Sequence, residues 1–235
     1  MQRLDRILSE AGVASRKELR AIIRAGRVCV NGAPVRGESE KFDERTAQIT
    51  LDGRPVAKRY TVLLMLNKPA GYVTSCDDPS GPTVMELIPE NYRRLGVMPV
   101  GRLDKATEGL LLFTNDGVLA HRLISPRSGV WKTYCAEHDG AALQADVEAF
   151  AAGLTLGDGT KCLPAVLRPQ GAGKSLIEVQ EGKYHQVRRM MAARGMPVSY
   201  LERVSEGGIT LDGLARGACR ELPLEILSGV LDGGL

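Results

Sequence analysis

The stretch of this 235-residue chain with the most chemical potential is Gly101-Arg102-Leu103-Asp104-Lys105-Ala106-Thr107-Glu108-Gly109, which runs directly into the apolar Leu110-Leu111-Leu112-Phe113. A polar loop held between hydrophobic segments is where a scaffold commonly presents reactive groups. Its candidate is the carboxylate of Asp104, which when ionised can attack as a nucleophile or take up a proton. The same position also suits a turn or cap residue, because Asp bonds readily to nearby backbone N–H groups. On the loop alone both readings stand. Asp116, within Thr114-Asn115-Asp116-Gly117, is assigned a structural role: it precedes Val118, Leu119 and Leu123 at helical spacing and reads as the N-cap of a helix that Ser125-Pro126 ends.

Other chemistries find no footing. There is no GxSxG, no HExxH and no GxxxxGK[ST] phosphate loop. The five cysteines (Cys29, Cys76, Cys135, Cys162, Cys219) contain no CxxC pair, and His121, His138 and His185 are scattered, so no metal-ligand spacing is present and metal-free, cofactor-free chemistry is expected. Charges at Arg3, Asp5 and Arg6 precede any apolar stretch, and no run approaches the roughly 20 apolar residues of a membrane span. A cytoplasmic protein with no membrane partner is the expectation.

The elements that must position such a loop fall into two groups. Leu4, Ile7, Leu8 and Ala11 predict a helix stopping at Gly12, and Ser15-Arg16-Lys17-Glu18 has the form of a capping box opening a second helix with Leu19, Ile22 and Ile23 as its buried stripe. Arg16, Arg20 and Arg24 then line another face at i, i+4, i+8, where like charges repel and an anion would relieve them; a simply solvated face is the other reading. Val28-Cys29-Val30 with Asn31-Gly32 predicts a strand entering a tight hairpin. Turn signals follow at Asp43-Glu44-Arg45 and Asp52-Gly53, and a boundary is expected near Lys58 to Tyr60. The net charge is only +3, but residues 1 to 60 hold 13 Lys+Arg against 8 Asp+Glu, leaving 18 against 20 beyond, so the positive excess is N-terminal. Past the boundary, Val62 to Leu66, Ser175 to Val179 and Val198 to Leu201 read as strands and Gln144 to Ala152 as an amphipathic helix, giving an α+β fold.

Two resemblances sharpen this. RLDRILSEAG, ASRKELRAIIRAGRVCVNG and Pro34-Val35 resemble the S4 RNA-binding domain, in which the second helix and adjoining loop lie on structured RNA; Arg16, Arg20 and Arg24 then become phosphate contacts. GRLDKATEGLLLFTNDG resembles the catalytic motif of the RsuA-type pseudouridine synthases. Lys132-Thr133-Tyr134, the EGKYHQVRRM run from Glu181 to Met190 and the LNKPAGYV segment from Leu66 to Val73 agree in order and spacing, so the likeness covers nearly the whole chain. It implies an S4-like (α-L like) domain over 1–59 and a catalytic domain over 60–235, built on a mixed, mainly antiparallel β-sheet with flanking helices.

The same resemblance implies the roles. Asp104 becomes the catalytic carboxylate, attacking sugar or base covalently or taking a proton from C2′, and sequence does not choose among these routes. A charged carboxylate in a dry pocket needs a cation beside it, and the resemblance makes that partner Arg188. Tyr134 matches the tyrosine packed on the target base, and its phenol could also serve proton removal from C5. Val187 matches the apolar residue under the uracil ring. Arg102 is the candidate for filling the space left by an extruded base, with Lys132, Lys183 and Arg189 as further RNA contacts; His185 is assigned a structural or RNA-contact role. The segment after Lys68-Pro69 is closer to small-subunit enzymes, so a 16S rRNA uridine is expected, presented by naked rRNA or by an assembling particle to a monomeric enzyme. A 23S target and a non-catalytic S4-domain assembly factor are the alternatives.

Overall fold

The computed structural model describes residues 1–43, 46–56, 61–79 and 81–231; Glu44 and Arg45 of the first turn signal and the boundary residues 57–60 lie outside that set. The chain divides into two compact units, Met1–Tyr60 and Thr61–Leu235.

In the first unit, α1 (Leu4–Glu10) and α2 (Arg16–Arg24) lie against small sheets: β1 (Gln2–Arg3) with β4 (Lys41–Phe42), and the order β3-β2-β5-β6 from β2 (Val28–Val30), β3 (Ala33–Val35), β5 (Ile49–Leu51) and β6 (Arg54–Pro55). The capping box forms: Glu18 accepts from the Ser15 amide at 2.9 Å while the Ser15 hydroxyl accepts from the Glu18 amide at 3.4 Å. Two orphan donors at the helix start are thereby satisfied. Asn31 and Gly32 turn the β2–β3 hairpin with φ of 52° and 83°, the left-handed pair that a two-residue turn of this hand requires. Leu4, Leu8, Leu19, Ile23, Val28, Val30, Val35 and Ile49 close the core.

The second unit is one nine-stranded sheet. Its order is β11-β12-β10-β13-β9-β7-β15, with β14 on β13 and β8 on β9. The strands are β7 (Leu63–Lys68), β8 (Met98–Val100), β9 (Glu108–Thr114), β10 (Lys132–His138), β11 (Val166–Pro169), β12 (Lys174–Val179), β13 (Val198–Glu206), β14 (Ile209–Thr210) and β15 (Cys219–Glu221). The helices are α3 (Glu90–Arg94), α4 (Gly117–Ile124), α5 (Gln144–Ala152), α6 (Gln186–Ala193) and α7 (Ile226–Leu231). The uninterrupted apolar runs of β7 and β9 have a plain cause: both faces are covered. Leu64, Leu66, Leu111 and Phe113 join a core with Phe150 of α5 and Met190 and Met191 of α6, while Leu63, Met65, Leu110 and Leu112 join another with Leu119 and Leu123 of α4 and Leu227 of α7.

All these pairings are antiparallel except one. β9 meets β13 in parallel over only two residue pairs, Glu108 with Glu202 and Gly109 with Arg203. Gly109 has φ of 96°, and a Cβ there would lie 2.3 Å from the Arg203 carbonyl oxygen. Only glycine fits.

Candidate active site

Asp104 sits on the loop that enters β9, and its backbone is held from beneath. The fully buried Lys68, at the end of β7, points its ammonium at four carbonyls: Pro69 at 3.1 Å, Asp104 at 3.2 Å, Lys105 at 3.3 Å and Thr107 at 2.8 Å. Burial drives this ammonium down to about 8, against the pull of the Glu108 and Asp104 carboxylates. Thr74 fixes the loop from the other side, its hydroxyl donating to the Leu103 carbonyl at 2.7 Å and accepting from the Leu103 amide at 3.2 Å. With its main chain occupied in this way, Asp104 lines a cleft.

That cleft is open to solvent and lined by Asp104, Arg102, Thr107, Tyr134, Val187 and His185 among others. Tyr134 comes from β10, Val187 from the first turn of α6, and Lys183 and Glu181 from the segment between β12 and α6. The segment has its own brace. Glu181 accepts from the Leu163 amide and from the Gln186 side chain at 2.9 and 2.8 Å, and Gln186 accepts from the Lys183 amide at 2.9 Å. His185 then takes a left-handed conformation, φ 47° and ψ 35°, immediately before α6. This brings its Nε2 to 3.5 Å from Asp104 Oδ1.

The expected Asp104–Arg188 pair is not formed. Arg188 Nη1 instead donates to the Val198 carbonyl at 2.8 Å, and Arg188 is not among the residues lining the cleft. The requirement that suggested it is also relaxed: the Asp104 side chain keeps 32% of its surface exposed, so water hydrates the carboxylate in the free protein. Lys132 also departs from expectation. It is buried, donates to the Val130 carbonyl at 3.4 Å and lies 3.8 Å from Glu206, so it faces the interior of the sheet instead of RNA.

Behind Tyr134 stands a charge cluster that sequence reasoning missed. Arg203 is paired with Tyr134 in the β10–β13 register; its Nε donates to the Leu110 carbonyl at 2.7 Å and its Nη2 lies 3.1 Å from the fully buried Glu206. Burial pushes the Tyr134 phenol above its ordinary value while Arg203 pulls the other way. The phenol of the free protein is therefore a neutral ring with a proton to donate, suited to packing on a base.

The remaining expected contacts sort by their partners. Lys183 lines the cleft and pairs with Glu181 at 2.8 Å, whereas Arg189 lies outside it, bound to Asp158 at 2.5 Å. Arg102 lines the cleft, is exposed, and has no ion-pair partner among the described residues. In the first unit Arg20 and Arg24 share Glu38 at 3.5 and 3.4 Å, so the anion that relieves the arginine row is partly internal; the Arg16 side chain lies outside the described set. Among the described residues no three His, Cys, Asp or Glu side chains are grouped so that they could hold a metal ion.

Comparison with known proteins agrees with this architecture. Residues 62–193 match the model of the RNA pseudouridylate synthase family and residues 2–44 that of the S4 domain. The chain is 41% identical to an RNA pseudouridine synthase of Bacillus subtilis, YtzG, covering 96% of each chain. It is 39% identical to ribosomal small subunit pseudouridine synthase A of Escherichia coli, over 97% of this chain and all of that one. A solved pseudouridylate synthase superposes with a TM-score of 0.69 at 31% identity, covering 98% of this chain and 100% of that one. A mixed sheet with an open carboxylate cleft, preceded by an S4 domain, thus defines the class, and the chain belongs to the RNA pseudouridylate synthase family, in its RsuA-type branch. It is an isomerase that converts uridine in RNA to pseudouridine.

Proposed function

We propose that this protein isomerises a specific uridine of 16S rRNA, met as naked rRNA or in an assembling particle in the cytoplasm, acting as a monomer with Asp104 as its catalytic carboxylate. The observation that carries the reading is the convergence of Asp104, Tyr134 and Val187 on one cleft, in a chain aligned over its length with a small-subunit enzyme. The reaction breaks the C1′–N1 bond, turns the base and forms C1′–C5, while the C5 proton is lost and N1 regains one. Atoms and electrons balance without a cofactor.

Asp104 meets the sugar or the base, Tyr134 packs on the pyrimidine and Val187 lies beneath it. The uridine reaches them by leaving its stack, at a cost of a few kcal/mol, and Arg102 occupies the vacated place. Lys183, Arg189, Arg20 and Arg24 hold phosphates. For Arg189 this means exchanging Asp158, and for the two helix arginines exchanging Glu38.

Pseudouridine mapping on rRNA from a deletion strain tests the target, with loss expected at one 16S position; loss confined to 23S rRNA sinks the choice. Incubating purified protein with 16S transcripts or small-subunit assembly particles tests the chemistry. Asp104→Asn is expected to keep RNA affinity and lose turnover, and an Asp104→Asn protein that still forms pseudouridine removes Asp104 from its role.

A further inference from the structure

We propose that Tyr184, backed by His185, is the stacking platform for an unpaired RNA base next to the uridine that enters the Asp104 cleft; this rests on the proposed RNA reaction. Tyr184 is 75% exposed, the most exposed aromatic side chain among the described residues. Its ring lies flat on that of His185, centroids 3.9 Å apart and planes 15° from parallel. One face is thus covered and the other is offered to solvent. The chain neighbours on both sides, Lys183 and His185, line the cleft, which sets the ring at its rim.

The platform is braced. Arg189 Nη1 donates to the Tyr184 carbonyl at 3.3 Å, and the left-handed His185 fixes the step into α6. An exposed ring on a fixed backbone loses little freedom when it stacks. Cations line the same cleft: Lys183, the chain neighbour of Tyr184, and Arg102, which is exposed and without an ion-pair partner among the described residues. An exposed ring at the rim of a cation-lined cleft suits single-stranded nucleic acid, the ring taking a base and Lys183 a phosphate. When the target uridine swings out, its neighbour loses a stacking partner, and Tyr184 supplies one.

The test is equilibrium binding of Tyr184→Ala and Tyr184→Phe, each in the Asp104→Asn background, to 16S and 23S rRNA transcripts between about 50 and 200 mM salt. Removing a base-stacking ring is expected to weaken binding roughly ten- to hundredfold, with Phe within about threefold of Tyr. The salt slope should stay unchanged, because no phosphate contact is lost, whereas Lys183→Ala should flatten it. With Asp104 restored, Tyr184→Ala should raise KM and leave kcat within about twofold. Ala binding as tightly as Tyr on both transcripts overturns the platform, as does a Phe variant as weak as Ala, or protection of the ring by a protein partner instead of RNA. The failures are separable. Wild-type turnover on 23S alone sinks the 16S target while the Ala-to-Phe comparison is read on 23S, and wild-type turnover on 16S with matched affinities sinks only the platform.

Discussion

His185 Nε2 stands 3.5 Å from Asp104 Oδ1, and among the described residues no other basic side chain comes within 4 Å of that carboxylate. The contact is ionic only when the imidazole is protonated, and both side chains are partly open to water, at 41% and 32%. Exposed pairs of this kind contribute little, about 0.2–1 kcal/mol. His185→Gln is therefore expected to lower kcat by no more than about fivefold, against complete loss for Asp104→Asn. Single-turnover rates on an unmodified transcript decide it: a His185→Gln protein as dead as Asp104→Asn would make the imidazole part of the chemistry.

Lys68 predicts opposite trends for stability and turnover with pH. Its ammonium titrates at about 8 in the fold against an ordinary 10.5 in the unfolded chain, so between these values the unfolded state binds more protons and this group's contribution to stability rises with pH. The neutral amine, however, has only two hydrogens for four loop carbonyls, so kcat is expected to fall as pH passes about 8. Lys68→Arg should move that alkaline limb upward, and an unmoved limb would assign it elsewhere. Lys68→Met, leaving buried carbonyls unpaired, should destabilise the fold by about 3 kcal/mol in a urea titration.

The cluster behind Tyr134 predicts a non-additive mutant series. Arg203→Met strands the fully buried Glu206 with only Lys132 at 3.8 Å, and breaking a buried charge group in this way costs about 3–5 kcal/mol. Replacing Lys132, Arg203 and Glu206 together with Met removes every charge at once and should recover most of that loss. Denaturant midpoints measure both, and a triple variant no more stable than Arg203→Met would contradict the account.

Glu38 predicts a gain on removal. Its carboxylate holds Arg20 and Arg24 at 3.5 and 3.4 Å, so Glu38→Gln should free two guanidiniums and tighten RNA binding. Arg20→Ala with Arg24→Ala should weaken it and reduce the salt slope by about two phosphates' worth. Titrations at several salt concentrations separate the outcomes; a Glu38→Gln protein with weaker affinity would place the arginines away from RNA.

What the sequence disclosed, and what it withheld, follows from range. Local signals appear in the structure where they were expected: the Ser15–Glu18 box, the Asn31-Gly32 turn, and Asp116 accepting from the Val118 and Leu119 amides at 2.8 and 3.1 Å. The convergence of Asp104, Tyr134 and Val187 was legible only through family motifs, since they come from a loop, a strand and a helix far apart in the chain. The expected Arg188–Asp104 pair does not form in the free protein because a motif fixes position, and not which neighbour a long side chain reaches from a helix; here the Val198 carbonyl was in reach. Arg203 and Glu206 escaped notice because β10–β13 register, a contact some 70 residues long in sequence, brings them to Tyr134 and Lys132. Lys68 entered only as part of the LNKPAGYV segment, and nothing nearby showed that its ammonium would gather carbonyls from residues 104 to 107.

The two-residue parallel join at Gly109 has a bearing on how the enzyme is aligned. The carboxylate of Asp104 belongs to the β7–β9 half of the sheet and the phenol of Tyr134 to the β10–β13 half, and the halves touch where Gly109 admits the Arg203 backbone. One absent methyl group thus sets the gauge between acid and ring. An alanine there would act as a shim, leaving each half folded while shifting the Asp104 carboxylate and the Tyr134 ring out of mutual reach.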